Sequence, residues 1–193
     1  DTWATKRYMP TFGLNGVTAA IDGRLYVVTS CQDSDWCSAP NKWLLRYDPL
    51  TDTWTPLATP PAIIWYRERL QGGTINKKIY IGVPGSKTLY VYDPLTDAWT
   101  PRETTVAVRG GAASATLGAR LYLIGGYRSN GDGTTTQVRT TSVYDPGTNT
   151  WTTRAPLPSV RPGASADRVF VAGRARIELV GGSRPGNNLQ YVP

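Results

Sequence analysis

The sequence has no histidine, one methionine, two phenylalanines and two cysteines among its 193 residues. Without histidine, Ser-His-Asp triads, histidine metal centres and imidazole proton shuttles are excluded. No apolar run approaches the ~20 residues that a membrane-spanning helix needs. Charged residues make up only 18%, and 21 basic against 14 acidic side chains give a net charge of +7. These charges are scattered, with no Lys/Arg-rich run, so a nucleic-acid partner is not expected. Abundant instead are 20 glycines, 15 prolines, 11 tyrosines and seven tryptophans. That mixture suits short strands joined by tight turns.

Cys31 and Cys37 stand close together in a polar stretch. Two thiolates without histidine are too few for a metal site. A loop-closing disulfide is the expectation, with an extracellular or periplasmic location; two free thiols are the alternative. Asp33-x-Asp35 and Asn130-Gly-Asp132-Gly match no EF-hand spacing and read as solvated turns. No metal or cofactor is expected. The chain opens on Asp1, with its one methionine at position 9. Removal of a leader and excision from something longer would both give such a start.

The main signal is an internal repeat. Tyr47-Asp-Pro-Leu-Thr-Asp-Thr-Trp54, Tyr92-Asp-Pro-Leu-Thr-Asp-Ala-Trp99 and Tyr144-Asp-Pro-Gly-Thr-Asn-Thr-Trp151 superpose, each after an apolar strand such as Ile79-Tyr80-Ile81 or Leu121-Tyr122-Leu123-Ile124. A fourth copy begins at Ile177 and runs to Tyr191-Val192-Pro193, while Asp1-Thr2-Trp3 repeats Asp52-Thr53-Trp54. The period averages about 48 residues. Gly125-Gly126 and Gly181-Gly182 follow two of the strands; Thr29-Ser30 and Gly82-Val83 stand there in the others.

This pattern resembles the kelch repeat over nearly the whole chain. The resemblance implies an all-β fold: a kelch-like β-propeller of four blades, each with four antiparallel strands. The expected ring is a single domain over 1–193, with blades at about 14–57, 66–102, 109–154 and 161–193 plus 1–6. The N-terminal strand then closes the last blade. The rival is an open half-ring whose Asp1-Thr2-Trp3 completes a neighbour's blade.

Residues that break the repeat are the better functional candidates. Extra length falls in Cys31–Lys42 and Tyr127–Thr141, and long loops on a rigid frame commonly carry binding. Strand direction puts these loops on the same face as the links between blades. That face is expected to gather Arg67, Arg69, Arg109 and Arg161 with Trp36, Trp65 and Tyr66. Each also has a structural reading: arginines can bridge blades, and the tryptophans can pack between them or cover a loop.

The resemblance implies a non-catalytic module that binds a protein partner through this face, or a subunit of a larger assembly. Trp36, Trp65 and Tyr66 would anchor, and the arginines would read acidic groups. A carbohydrate-binding module, including one for acidic glycans, is the alternative. A sugar epimerase or hydrolase of the sialic-acid type would need an arginine clamp and an acid–base pair, with Glu68 or Glu103 nearest. No sialidase-type Asp-box is present, and without histidine a galactose-oxidase-like copper site is rejected.

Overall fold

The structure is a computed structural model that describes residues 1–10, 14–30, 44–60, 69–182 and 188–193. Trp36, Trp65, Tyr66, Arg67, Glu68, Cys31 and Cys37 therefore lie outside the described residues, and so does the expected disulfide. Every described regular element is a β-strand. Among the described residues no helix is long and apolar enough to cross a membrane.

Blade 1 pairs β1 (Leu14–Ile21), β2 (Arg24–Ser30), β3 (Leu44–Asp48) and β4 (Thr53–Pro56) in chain order. Blade 2 does the same with β5 (Gln71–Ile75), β6 (Lys78–Gly82), β7 (Thr88–Asp93) and β8 (Ala98–Glu103). Blade 3 contains β9 (Ala113–Leu117), β10 (Arg120–Ile124), β13 (Thr141–Asp145) and β14 (Thr150–Arg154). Between its middle strands a small hairpin, β11 (Tyr127–Ser129) with β12 (Thr135–Gln137), projects from the sheet. Blade 4 has β15 (Ser165–Val171), β16 (Arg174–Val180) and β17 (Leu189–Tyr191). All pairs are antiparallel, and the four sheets stand around a common axis as the blades of a propeller.

Local chemistry explains the recurrence. The first hairpin of every blade turns on two residues of positive φ: Asp22-Gly23, Asn76-Lys77, Gly118-Ala119 and Ala172-Gly173. Such turns match the right-handed twist of the strands they join. In the Tyr-Asp-Pro turn, the Asp carboxylate accepts the amide two residues on, as Asp48 does from Leu50 at 3.0 Å and Asp93 from Leu95 at 3.0 Å. The same carboxylates pair with the first base of the central strand: Arg24–Asp48 at 3.0 Å, Lys78–Asp93 at 2.7 Å and Arg120–Asp145 at 3.0 Å. Exposed pairs of this kind contribute at most about 1 kcal/mol each.

Blades are joined by buried aromatics. Tyr26 of β2 meets Tyr92 of the next blade, Tyr80 meets Tyr144 and Tyr122 meets Tyr191, at ring separations of 6.3, 6.2 and 5.6 Å. Around each contact lies an apolar core, one for blades 1 and 2, one for 2 and 3, one for 3 and 4. Tilted aromatic pairs add about 0.5–1.5 kcal/mol beyond their burial.

The outermost strands are clasped in turn. Asp97 accepts the Tyr92 hydroxyl at 2.7 Å and the Ala58 amide at 2.9 Å, while the Trp99 indole donates to Ala58 O at 2.7 Å. Ala58 is the segment leaving blade 1, so blade 2 grips its predecessor's exit. Arg7 is held likewise: its amide donates to Asp52 at 2.9 Å, and Trp54 donates to its carbonyl at 3.1 Å.

One expectation is corrected here. The N-terminal strand does not complete blade 4, which has three strands. Residues 1–9 form no strand and Trp3 is fully exposed. Arg7 holds the segment on blade 1 instead. Blade 4 also carries Glu178 and Val192 where the other blades have the packing Tyr and the turn Asp.

Candidate functional site

The face toward which the inner strands begin carries the links between blades and the β11–β12 hairpin. The inner strands crowd the axis. A Cβ on Gly72 would stand 2.3 Å from Tyr80 O, so only glycine fits there. Around the axis β1, β5, β9 and β15 line a cavity of about 530 Å³. Thr18, Arg69, Thr74, Thr116, Asp167 and Arg168 give it a polar wall.

Of the four candidate arginines, the three that are described, Arg69, Arg109 and Arg161, have different surroundings. Arg109 is 8% exposed. Its Nε donates to Gly125 O at 2.7 Å, Nη1 to Ser142 Oγ at 2.9 Å, and Nη2 to Leu123 O at 2.7 Å and Thr140 O at 3.0 Å. Burial lowers its pKa from the ordinary guanidinium value. This guanidinium stitches the base of the hairpin, with most of its donors spent on the fold, while Arg109 also lines the groove described below. Arg161 occupies the same register in blade 4, is also buried, and donates from Nη1 to Gly181 O at 3.4 Å. Its Nε has no partner among the described residues. Arg69 alone is exposed, reaching across the axis to Ser165 Oγ at 3.3 Å.

The reason lies in the Gly-Gly pair. Gly125 and Gly126 both have positive φ, and a Cβ on Gly126 would lie 2.6 Å from Gly110 O. The chain bends away from the sheet there, so nearby carbonyls lose sheet partners and an arginine supplies the donors. An arginine four residues before an inner strand, recurring at 109 and 161, was the available signal of a role in the fold.

Beside Arg109 lies a second feature that the repeat analysis did not resolve to residues. A groove of about 330 Å³ runs between the blade 2 turn and the hairpin, lined by Pro84, Gly85, Val108, Tyr127, Arg128 and Thr135 among others. Its walls are pinned: Gly85 donates to Val108 O at 2.8 Å, Val108 to Ser86 O at 2.8 Å, and Tyr127 to Gly110 O at 2.8 Å. Arg128 is exposed at its rim. The signal in the sequence was the long interruption at Tyr127–Thr141.

The other candidates are accounted for locally. Asp132 accepts from the Thr134 amide at 2.9 Å and hydroxyl at 2.6 Å, which lowers its pKa and closes the hairpin turn. Glu103 sits on an outermost strand and accepts from Thr88 Oγ1 at 2.7 Å, away from the axis. No cluster of three or more His, Cys, Asp or Glu suited to a metal occurs among the described residues.

Comparison with known proteins agrees with this architecture. No curated protein matches the sequence. The Kelch motif family model matches residues 109–158, which is blade 3 with its link and hairpin. A solved structure titled "Structure of YjhT" is similar at 19% identity and a TM-score of 0.69, over 94% of this chain and 63% of that one. The chain thus spans less than two thirds of that structure's length, and the likeness is one of fold. The chain is therefore a four-bladed β-propeller that carries a Kelch motif at residues 109–158, its third blade.

Proposed function

We propose that this propeller is a non-catalytic interaction module that takes a protein partner on the face bearing the links and the hairpin. The observation that carries this reading is the pinned groove between Pro84–Gly85 and Tyr127–Ser129, with Arg128 exposed beside it. A rigid apolar slot beside a cation suits an apolar anchor flanked by an acidic group. Arg69 adds a second exposed cation toward the axis. Trp36, Trp65, Tyr66 and Arg67 extend the surface in this reading, from outside the described residues. Arg109 and Arg161 are scaffold beneath it. Catalysis lacks support, because Glu103 sits on an outermost strand and accepts from Thr88 within its own blade.

The test is capture from extract of the source by the intact protein and by the Tyr127→Ala/Arg128→Glu variant, with Lys77→Glu as a distant control. A retained protein lost in the variant but kept in the control is expected. Retention unchanged by the variant would move the site. A glycan array run in parallel gives the acidic-glycan reading its own readout. The Cys31–Cys37 disulfide and an extracellular or periplasmic location belong to the same proposal, and thiol alkylation with and without reductant checks the bond.

A further inference from the structure

Two Asn-Gly pairs occur in the sequence, Asn15-Gly16 and Asn130-Gly131. They stand in opposite surroundings. Asn15-Gly16 lies inside β1, with ladder pairs on both sides of it, Leu14 with Ser30 and Val17 with Val28. A Cβ on Gly16 would stand 2.2 Å from Val28 O, so the backbone is wedged against its neighbour. Asn130-Gly131 opens the turn of the β11–β12 hairpin, where residues 128–137 are all exposed. Gly131 and Gly133 have φ of 86° and 85°, and nothing lies within 4 Å of where either would carry a Cβ. The turn therefore has room to change shape.

Its hydrogen bonds favour one reaction. An asparagine side chain and the next backbone amide can close a five-membered ring, and a following glycine hinders that closure least. The Gly131 amide makes a long bond, 3.3 Å to Ser129 Oγ. The Thr136 hydroxyl donates to Asn130 Oδ1 at 3.0 Å, the oxygen on which negative charge develops when Cγ is attacked. Asn130 Nδ2 donates to Thr134 Oγ1 at 2.9 Å, and the Thr134 hydroxyl is committed in turn to Asp132 at 2.6 Å. Asp132-Gly133 does not compete. Its carboxylate is held ionised, foremost by the Thr134 hydroxyl, and an anion resists attack by a deprotonated amide.

We propose that Asn130-Gly131 is a self-modification site, at which the hairpin converts its own asparagine into aspartate and isoaspartate. The Gly131 nitrogen gives its proton to solvent base and bonds to Asn130 Cγ. The Cγ–Nδ2 bond breaks, and the nitrogen leaves as ammonia with a proton from water. A second water opens the cyclic imide. Opening at Cγ leaves aspartate, while opening at the backbone carbonyl routes the chain through Cγ as isoaspartate. Either product puts a negative charge two residues from Arg128 and removes the donor to Thr134 Oγ1. That charge lies beside the groove, so it opposes an acidic partner if the groove reading holds. The chemical step does not depend on that reading.

The experiment holds the folded protein and the urea-unfolded chain in mildly alkaline buffer and maps both asparagines by mass spectrometry. Asn130 should convert in the folded protein at least as fast as in the unfolded chain, whereas Asn15 should convert only in the unfolded chain. Thr136→Val should slow the folded rate at Asn130 about two- to tenfold and leave the unfolded rate unchanged. Thr136→Ser, which keeps the hydroxyl, should restore it. Retention of Asn130 in the folded protein, equal conversion of both asparagines there, or a folded rate unmoved by Thr136→Val overturns the proposal. Capture by the Asn130→Asp variant reads the groove separately. Unchanged capture would overturn the groove reading, while conversion at Asn130 stands on its own rates.

Discussion

Blades 3 and 4 are built from one repeat, with equivalent strands, turns and arginines, yet they differ in how much they bury. Most residues of β9 and β10 are buried, whereas β15 is exposed along most of its length. Arg109 has four hydrogen bonds where Arg161 has one long one and an unpartnered Nε. The repeat therefore sets backbone shape, and the neighbours on either side set energy. A central strand is worth most when a blade stands on both of its faces.

The sharpest break in that comparison is a truncation on each side of it. Leu121→Ala, fully buried between blades 2 and 3, should cost about 2–5 kcal/mol in denaturant unfolding. Val180→Ala on the open face of blade 4 should cost about 0.5 kcal/mol or less. Next comes the arginine pair. Arg109→Ala removes the guanidinium donors of Gly125 O, Leu123 O and Thr140 O, of which Thr140 O keeps the Gly125 amide, and should lose about 2–3 kcal/mol, against about 1 kcal/mol for Arg161→Ala; equal losses would show that the two blades grip their arginines alike.

Acid should weaken blades 1 to 3 before blade 4. Asp145 is held below the usual carboxylate range, first by the Gly147 amide and then by Arg120. Asp48 is lowered first by the Leu50 amide, Asp52 by the Tyr47 hydroxyl and Asp93 by Lys78. Blade 4 has Val192 at the turn position. A carboxylate with a lowered folded pKa stabilises above its unfolded value of about 4 and loses that contribution as pH falls further. A melting temperature that falls below about pH 4, with a shallower fall in Asp145→Asn, is the expected profile. The smallest effect belongs to Asp132→Asn in the hairpin, within about 0.5 kcal/mol by thermal unfolding, because the turn is exposed.

The strands, the turns and the blade count were legible because the Tyr-Asp-Pro turn and its Trp recur at a fixed spacing. Each recurrence marks one hairpin chemistry. Closure was not legible in the same way. Asp1-Thr2-Trp3 states what kind of strand it is, since it repeats 52–54, but strand identity carries no address for the sheet it joins. The site was half legible. The interruption at Tyr127–Thr141 pointed to the hairpin beside the groove, while the burial of the Arg109 guanidinium was not legible, because the carbonyls it bonds around Gly125 take their positions only once the backbone bends.

The clasps of Asp97 on Ala58 and of Asp52 on Arg7 give the molecule unequal handles. Among the described residues the apolar cores and ring contacts each join one blade to the next, so the fold resists disruption largely as a row of linked units. Tension applied at Pro193 meets β17, a three-residue strand paired on one side, and peels blade 4 first. Tension applied at Asp1 is stopped at Arg7, where Asp52 and Trp54 hold the backbone from both sides and pass the load into a complete four-stranded sheet.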